Sequence, residues 1–139
     1  MPEEVGIILN NLKNISKKNF GDLELYSGKF ILNDSKEILI TTAWSGWGKV
    51  SAARATTRLL SSYYNSTQVD IAIFTGVAGA VKKELKKWDI ILADSVIQHD
   101  MDARPIFDKY VIPALNNEKI IPNIELIDKT FNGLKKELN

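Results

Sequence analysis

Apolar residues recur at two distinct spacings along this chain of 139 residues, and each spacing predicts a different kind of element. Steps of three and four residues predict three helices, over residues 2–15, 48–64 and 123–138. Pro2 suits the first turn of the first helix, and Asn123 is a candidate cap for the last one. Helical spacing therefore accounts for both ends of the chain and for one central segment.

Shorter apolar stretches that end at turn residues predict strands between these helices. The four candidate strands are 24–32, 36–43, 69–75 and 89–97. The predicted loops and turns are 13–22, 33–35, 82–87 and 99–117. The first two strands should form a hairpin around the turn at 33–35. Apolar strands that alternate with helices indicate an α/β fold with a largely buried sheet.

Two glycine-containing loops follow predicted strands, where an open α/β sheet binds its ligands. The 75–79 loop reads TGVAG, and the 45–49 loop reads SGWGK and opens the second helix. Glycine lets a ligand approach the backbone, and amides at a helix start can hold polar groups. The 45–49 loop matches neither a P-loop nor a dinucleotide fingerprint. Its glycines are equally explained by a tight turn.

Aromatic and charged residues add two candidate sites, at Trp47 and at Glu3–Glu4, and the polar segment 98–105 adds a third. Trp44 and Trp88 are core candidates, whereas Trp47 lies inside a glycine loop and either stacks on a flat ligand or packs in the core. Glu3 and Glu4 either favour the helix N-terminus by charge or supply a carboxylate general base.

The segment 98–105 is the densest polar cluster and holds the only histidine, His99. One imidazole among acids that alternate along an extended segment argues against a metal site. The simpler interpretation is a polar loop in which Asp100 or Asp102 binds backbone amides and Arg104 pairs with one of them. A single histidine supports no Ser-His-Asp arrangement.

Composition narrows the classes of function. The formal net charge of +1 argues against nucleic acid and membrane surfaces as partners. The absence of cysteine removes disulfides and thiolate metal sites and suits a reducing cytoplasm. No apolar run approaches the ~20 residues of a membrane span, and the acidic start differs from a signal peptide. The length suits one domain over residues 1–139.

Taken together, these segments resemble the purine nucleoside phosphorylase superfamily, and most closely its 5′-methylthioadenosine/S-adenosylhomocysteine nucleosidases. The matching motifs are EEV at 3–5, SGWGKVSAA at 45–53, TGVAG at 75–79, WDI at 88–90, HDMD at 99–102, and Pro113. Their order and spacing carry the resemblance over nearly the whole chain. It implies a three-layer α/β fold with flanking helices and hydrolysis of the bond between ribose and adenine, without a metal or organic cofactor.

The resemblance also implies roles for individual residues. It implicates Glu4 in activating the attacking water. It places Trp47 and the 75–79 loop, through Val77, Ala78 and Gly79, beside an adenine nucleoside. In the family's dimers a loop reaches the neighbouring subunit's site. Here the residues of that loop would be Ile106 or Phe107, and Pro113.

The chain departs from the family pattern in ways that bear on the expected nucleosidase activity. Family members open with a strand before EEV and continue for roughly another half domain, which carries the ribose-binding glutamate and the acid that protonates adenine. We therefore expect an incomplete domain, truncated at both ends. Trp88 also stands where the family usually has glycine. The alternatives to a nucleosidase are an inactive remnant that binds nucleoside or only self-associates, and a phosphorylase. With only Arg54, Arg58 and Arg104 available, a phosphate pocket is disfavoured.

Overall fold

The computed structural model describes residues 2–33, 35–61 and 69–138. The chain divides into two compact units, Met1–Gly79 and Ala80–Asn139, which are described separately below.

The first unit is a three-stranded antiparallel sheet with two helices. Its elements are α1 (Pro2–Leu9), β1 (Lys13–Phe20), β2 (Leu23–Ile31), β3 (Glu37–Thr42) and α2 (Lys49–Ser61). The sheet order is β1-β2-β3. The predicted hairpin 24–32/36–43 is confirmed as β2 and β3, and the second predicted helix is confirmed with shorter bounds. The first predicted helix is confirmed over residues 2–9, but its continuation to residue 15 is wrong, because residues 13–15 belong to β1. Residues 62–64 of the second predicted helix lie outside the described residues.

The prediction of a loop over residues 13–22 is wrong, because most of this segment is β1. Lys17 pairs with Tyr26, and Phe20 pairs with Leu23 across a turn at Gly21. Every β1 side chain except the half-buried Phe20 is exposed. The strand is held by its backbone ladder and by ion pairs such as Lys17 with Glu24. It therefore carries no apolar alternation by which the sequence could reveal it.

The core of this unit lies between one face of the sheet and α2. Leu23 and Leu25 are each 3% exposed, and Ala55 of α2 is 1% exposed. Leu23 and Leu25 share a face because side chains alternate along a strand. The partly buried residues that pack against this cluster are Phe20, Ala43 and Leu59.

An ion pair ties α2 to the turn between β1 and β2. Arg54 donates from both terminal nitrogens to the two Asp22 oxygens, at 2.7 and 3.1 Å. This paired hydrogen bond lowers the pKa of Asp22 and raises that of Arg54. Arg54 precedes the buried Ala55 in the chain, so the ion pair lies beside the core.

The prediction of a buried strand at 69–75 is wrong, both about the strand and about its burial. These residues adopt no strand, and Ile73 and Phe74 are 82% and 84% exposed. An apolar run becomes a strand only when a neighbouring backbone takes its N–H and C=O groups. Within residues 69–138 and the two described ranges before them, no strand pairs with this run. The expectation of a largely buried sheet fails for the same reason.

The second unit contains β4 (Val96–Ile97), β5 (Lys119–Ile120) and α3 (Ile124–Leu138). Only the last two residues of the predicted strand 89–97 pair, in an antiparallel ribbon with β5. The segment 99–117 is irregular, as predicted, with one bridge between Ile112 and Asn117. The predicted cap is confirmed, because the Asn123 side-chain oxygen accepts from the Leu126 amide at 3.1 Å.

A search of the described residues found no helix of the length and apolar character that crossing a membrane requires.

Candidate functional site

The 45–49 loop takes its shape from two glycines. Gly46 and Gly48 have φ angles of 80° and 88°, a backbone region that favours glycine. The Gly48 carbonyl accepts from the Ala52 amide at 3.0 Å, which joins the loop to the first turn of α2. Tight-turn geometry therefore explains both glycines without a ligand. The same geometry presents the residue between them to solvent.

That residue, Trp47, is 80% exposed, so the core-packing alternative for it is wrong. The core assignments of Trp44 and Trp88 are also wrong, because their exposed fractions are 42% and 86%. The described core is small, and its buried residues are the aliphatic Val5, Leu12, Leu23, Leu25 and Ala55. An exposed ring beside a helix N-terminus is available to stack on a flat ligand.

The 75–79 loop is open on every side. Val77 is 89% exposed, and Ala78 and Gly79 are exposed as well. A Cβ added at Gly76 or Gly79 would meet nothing within 4 Å. Neither glycine is therefore required by packing inside this chain. A group that approaches from outside would be the physical reason for their small size.

Glu4 lies in α1, with its side chain outside the described residues. The structure consequently places its backbone on the helix of the first unit and leaves the role of its carboxylate as a prediction. Trp47 and the 75–79 loop lie in this same unit.

The residues predicted to cross a dimer interface lie in the second unit. Ile106 is 82% exposed, Phe107 is half-buried, and Pro113 is exposed. The Ala103 carbonyl accepts from the amides of both Ile106 and Phe107, at 3.1 and 3.2 Å. This turn holds the Phe107 side chain inward and the Ile106 side chain outward, so Ile106 is the better placed of the two to reach another molecule.

The polar-loop interpretation of residues 98–105 is confirmed. Arg104 donates from Nε and a terminal nitrogen to the Asp102 oxygens at 2.9 and 2.6 Å. These bonds lower the pKa of Asp102 from 3.8 to about 2. His99 Nδ1 lies 3.7 Å from an Asp100 oxygen, and both side chains are largely exposed. Within the described ranges, no cluster of three His, Cys, Asp or Glu side chains could hold a metal ion.

All three arginines are engaged within the chain. Arg54 pairs with Asp22, Arg104 pairs with Asp102, and the Arg58 guanidinium lies 4.5 Å from the centre of the Phe20 ring. No local spacing indicates the Arg54 pair, because its partner is 32 residues away. Only the fold brings these two side chains together.

Trp88 has a φ angle of 80°, the left-handed region that a bulky side chain disfavours. This geometry gives a physical reason for a glycine at the equivalent position of similar proteins. The Lys87 ammonium lies 5.0 Å from the Trp88 ring and partly covers it.

The chain matches the model of the phosphorylase superfamily over residues 1–137. It is 41% identical over 103 residues to 5′-methylthioadenosine/S-adenosylhomocysteine nucleosidases of two Staphylococcus aureus strains, bovine RF122 and MRSA252. Each match covers 74% of this chain and 41% of the relative. The chain thus spans less than half the length of these relatives.

Solved structures agree with the sequence comparison. The nucleosidase of Neisseria meningitidis, in complex with methylthio-immucillin-A, matches with a TM-score of 0.82 and 25% identity over 98% of this chain and 55% of that protein. The nucleosidase of Colwellia psychrerythraea, in complex with adenine, matches with a TM-score of 0.80 and 29% identity over 97% and 52%. These likenesses confirm the α/β fold class and the resemblance inferred from the motifs. The chain belongs to the phosphorylase superfamily.

Proposed function

We propose that this chain contributes to hydrolysis of the N-glycosidic bond in adenine thionucleosides such as methylthioadenosine and S-adenosylhomocysteine. The observation that carries the proposal is the 41% identity to nucleosidases of this class over 103 residues. The chain spans about half of the matched structures, so the proposal concerns the half of the site that these residues can supply.

In this proposal the first unit forms one wall of the nucleoside site. The Glu4 carboxylate positions or activates water, because an N-glycosidic bond is cleaved by attack at the anomeric carbon of the ribose. The exposed Trp47 ring stacks on the flat base or closes the pocket beside it. Val77, Ala78 and Gly79 line the wall, where their small or aliphatic side chains allow close approach.

The proposal extends to assembly and location. Residues 1–139 act as one nucleosidase-like domain, bind an adenine nucleoside, and use no metal or organic cofactor. Ile106 or Phe107, together with Pro113, would reach the site of a second subunit in a homodimer. The absence of cysteine suits a protein of the cytoplasm.

Hydrolysis is favoured over phosphorolysis because two of the three arginines that could bind phosphate already pair with carboxylates of the chain. A phosphate pocket needs cationic side chains aimed at the ligand, and Arg forks suit phosphate best. Arg54 and Arg104 already hold carboxylates through paired hydrogen bonds. Releasing either arginine would leave Asp22 or Asp102 without its partner. The nucleophile in our proposal is therefore water.

The test is release of free adenine from methylthioadenosine by the purified chain, with and without inorganic phosphate. We expect adenine release that does not depend on phosphate. Glu4→Gln should remove most of the activity, whereas the neighbouring change Glu3→Gln should retain it. Trp47→Ala should raise KM, and Trp44→Ala serves as its matched control. No adenine above background, or unchanged turnover in Glu4→Gln, would contradict the proposal.

A second candidate function is binding of an adenine nucleoside without turnover. It is favoured by the exposure of the 75–79 loop, which leaves this loop open to a ligand. Titration calorimetry separates the two functions. Heat of binding without adenine release indicates a binding module, and neither signal indicates a structural remnant.

A further inference from the structure

Residues 69–81 form an exposed segment whose backbone is not paired within the described part of the chain. No N–H or C=O group of these residues makes a hydrogen bond to another described backbone group. Every residue of the segment is exposed, and Val81 is 97% exposed. A protease binds its substrate as an added strand and needs free N–H and C=O groups on it. The segment offers these groups without breaking any backbone pairing among the described residues.

Two lysine pairs follow this segment. They are Lys82–Lys83 and Lys86–Lys87, and all four side chains are exposed. A trypsin-like serine protease selects a cationic side chain before the bond that it cuts, because a carboxylate at the base of its S1 pocket pairs with the cation. Each lysine pair is thus a candidate cleavage site, and the backbone around it decides whether a protease can bind there.

The backbone of the second pair is held in a closed turn. The Lys86 amide donates to an Asp89 carboxylate oxygen at 2.8 Å, and the Asp89 amide donates to the Lys86 carbonyl at 3.2 Å. The Lys87 ammonium lies 5.0 Å from the centre of the Trp88 ring. Cleavage at this pair would first break the charge-assisted bond to Asp89 and the contact with the ring.

The backbone of the first pair is held more weakly. Its one backbone hydrogen bond among the described residues runs from the Leu85 amide to the Lys82 carbonyl at 3.3 Å, longer than the ~2.7–3.2 Å typical of such bonds. The amides of Lys83 and Glu84 donate to no described backbone group. The bond between Lys82 and Lys83 is therefore preceded by free backbone and followed by a weakly closed turn.

The other basic residues lie in backbone that is already paired. Lys36, Arg104 and Lys109 lie in turns closed by hydrogen bonds of 2.9, 3.1 and 3.1 Å. Exposure of a basic side chain alone therefore does not single out a cleavage site, whereas free backbone does. The remaining basic residues lie in the strands β1, β2 and β5 or in the helices α2 and α3: Lys13, Lys17, Lys18, Lys29, Lys49, Arg54, Arg58, Lys119, Lys129, Lys135 and Lys136.

We propose that the bond between Lys82 and Lys83 is a specific cleavage site for a trypsin-like serine protease that acts on the folded chain. Hydrolysis consumes one water molecule: the bond between the Lys82 carbonyl carbon and the Lys83 nitrogen breaks, Lys82 ends in a carboxylate, and Lys83 begins with an amine. The protease serine is regenerated. The products are residues 1–82, which hold β1, β2, β3 and α2, and residues 83–139, which hold α3. The site does not depend on nucleoside hydrolysis.

Limited digestion of the full chain by trypsin, followed over time by mass spectrometry of the products, tests the proposal. We expect residues 1–82 and 83–139 to be the first products. Lys82→Gln should abolish this pair of products, because glutamine brings no cation to the S1 pocket. Lys86→Gln is the matched control and should leave the rate of the first cut unchanged.

The response to urea distinguishes a cut in the folded chain from a cut after unfolding. Cleavage that requires global unfolding accelerates steeply in subdenaturing urea, because it follows the unfolded population. The first cut should instead keep its rate, once corrected for the activity of trypsin on a small ester substrate at each urea concentration. A first cut at another basic residue, unchanged products from Lys82→Gln, or a rate that follows the unfolded population would each overturn the proposal.

Discussion

At the residue scale, the backbone conformation of one residue, Trp88, explains a departure that its side chain does not. Trp88 was identified as a departure from a family glycine, and its φ angle of 80° supplies the reason. A left-handed backbone costs an L-residue roughly 1–2 kcal/mol. The ring is 86% exposed, so it recovers little of this cost by burial.

Trp88→Gly should therefore be more stable than Trp88→Ala by about 1 kcal/mol in free energy of unfolding. Both variants remove the ring and its contact with Lys87. Only the alanine keeps the Cβ that a left-handed backbone disfavours, so the comparison isolates the backbone. Urea unfolding measures the difference. Equal stability of the two variants would contradict a strained backbone at this position.

Asp102 predicts a second single-residue effect, on acid stability. Its pKa in the folded chain is lowered to about 2 by Arg104. A lowered folded pKa stabilises the fold above the unfolded value, and this contribution disappears as the pH falls from about 4 to about 2. Asp102→Asn should therefore flatten the stability profile in that window. Thermal unfolding between pH 2 and pH 6 measures it, with Asp108→Asn as the matched control.

At the scale of elements, close packing between β2 and the segment that joins α1 to β1 explains one glycine. A Cβ on Gly28 would lie 3.0 Å from Leu12 Cβ and 3.0 Å from the Lys13 carbonyl oxygen. Leu12 follows α1 and is buried. The strand can pass beneath this segment only because residue 28 has no side chain.

Gly28→Ala should lower the free energy of unfolding by ~1–3 kcal/mol, because the added methyl group overpacks a buried contact. Chemical denaturation measures the change. An unchanged midpoint would contradict a tight contact between Gly28 and the Leu12–Lys13 segment.

Gly133→Ala should raise the free energy of unfolding, whereas Gly28→Ala should lower it. Gly133 lies inside α3, and a Cβ there meets nothing within 4 Å. Glycine in a helix interior costs roughly 0.5–1 kcal/mol relative to alanine. The variant should therefore gain about that amount of stability and increase the helical signal, and a loss of helicity would contradict the prediction.

At the scale of the whole molecule, little surface is removed from water. An unfolded chain of 15.6 kDa would expose roughly 22,600 Å². The folded chain still exposes 11846 Å², about half of that area. A compact domain near this length buries about 68–70% of its unfolded surface.

The dependence of unfolding on urea should reflect this low burial. The slope m scales with the surface exposed on unfolding, so we expect about 0.7 of the slope of a compact protein of equal length. The measurement is made at one fixed, low protein concentration. A slope equal to that of the compact protein would contradict the described exposure.

Local patterns in the sequence indicate helices α2 and α3, one hairpin and the superfamily. Helical spacing located α2 and α3, the cap at Asn123 was visible as a side chain, and the turn at 33–35 located the hairpin of β2 and β3. These features are local, because each depends on residues a few positions apart. The ordered motifs indicated the superfamily for the same reason, since a motif is read along the chain.

Only the tertiary structure decided which apolar residues are covered. Residues 69–75 read as a buried strand but are exposed, and β1 read as a loop but pairs with β2. The tertiary structure also revealed the Arg54–Asp22 pair and the exposure of Trp47. Burial and pairing depend on which other segment is adjacent in space, and hydrophobic spacing records only the capacity for burial. The sequence thus predicted a ligand loop at residues 75–79, and the fold shows that this loop faces solvent.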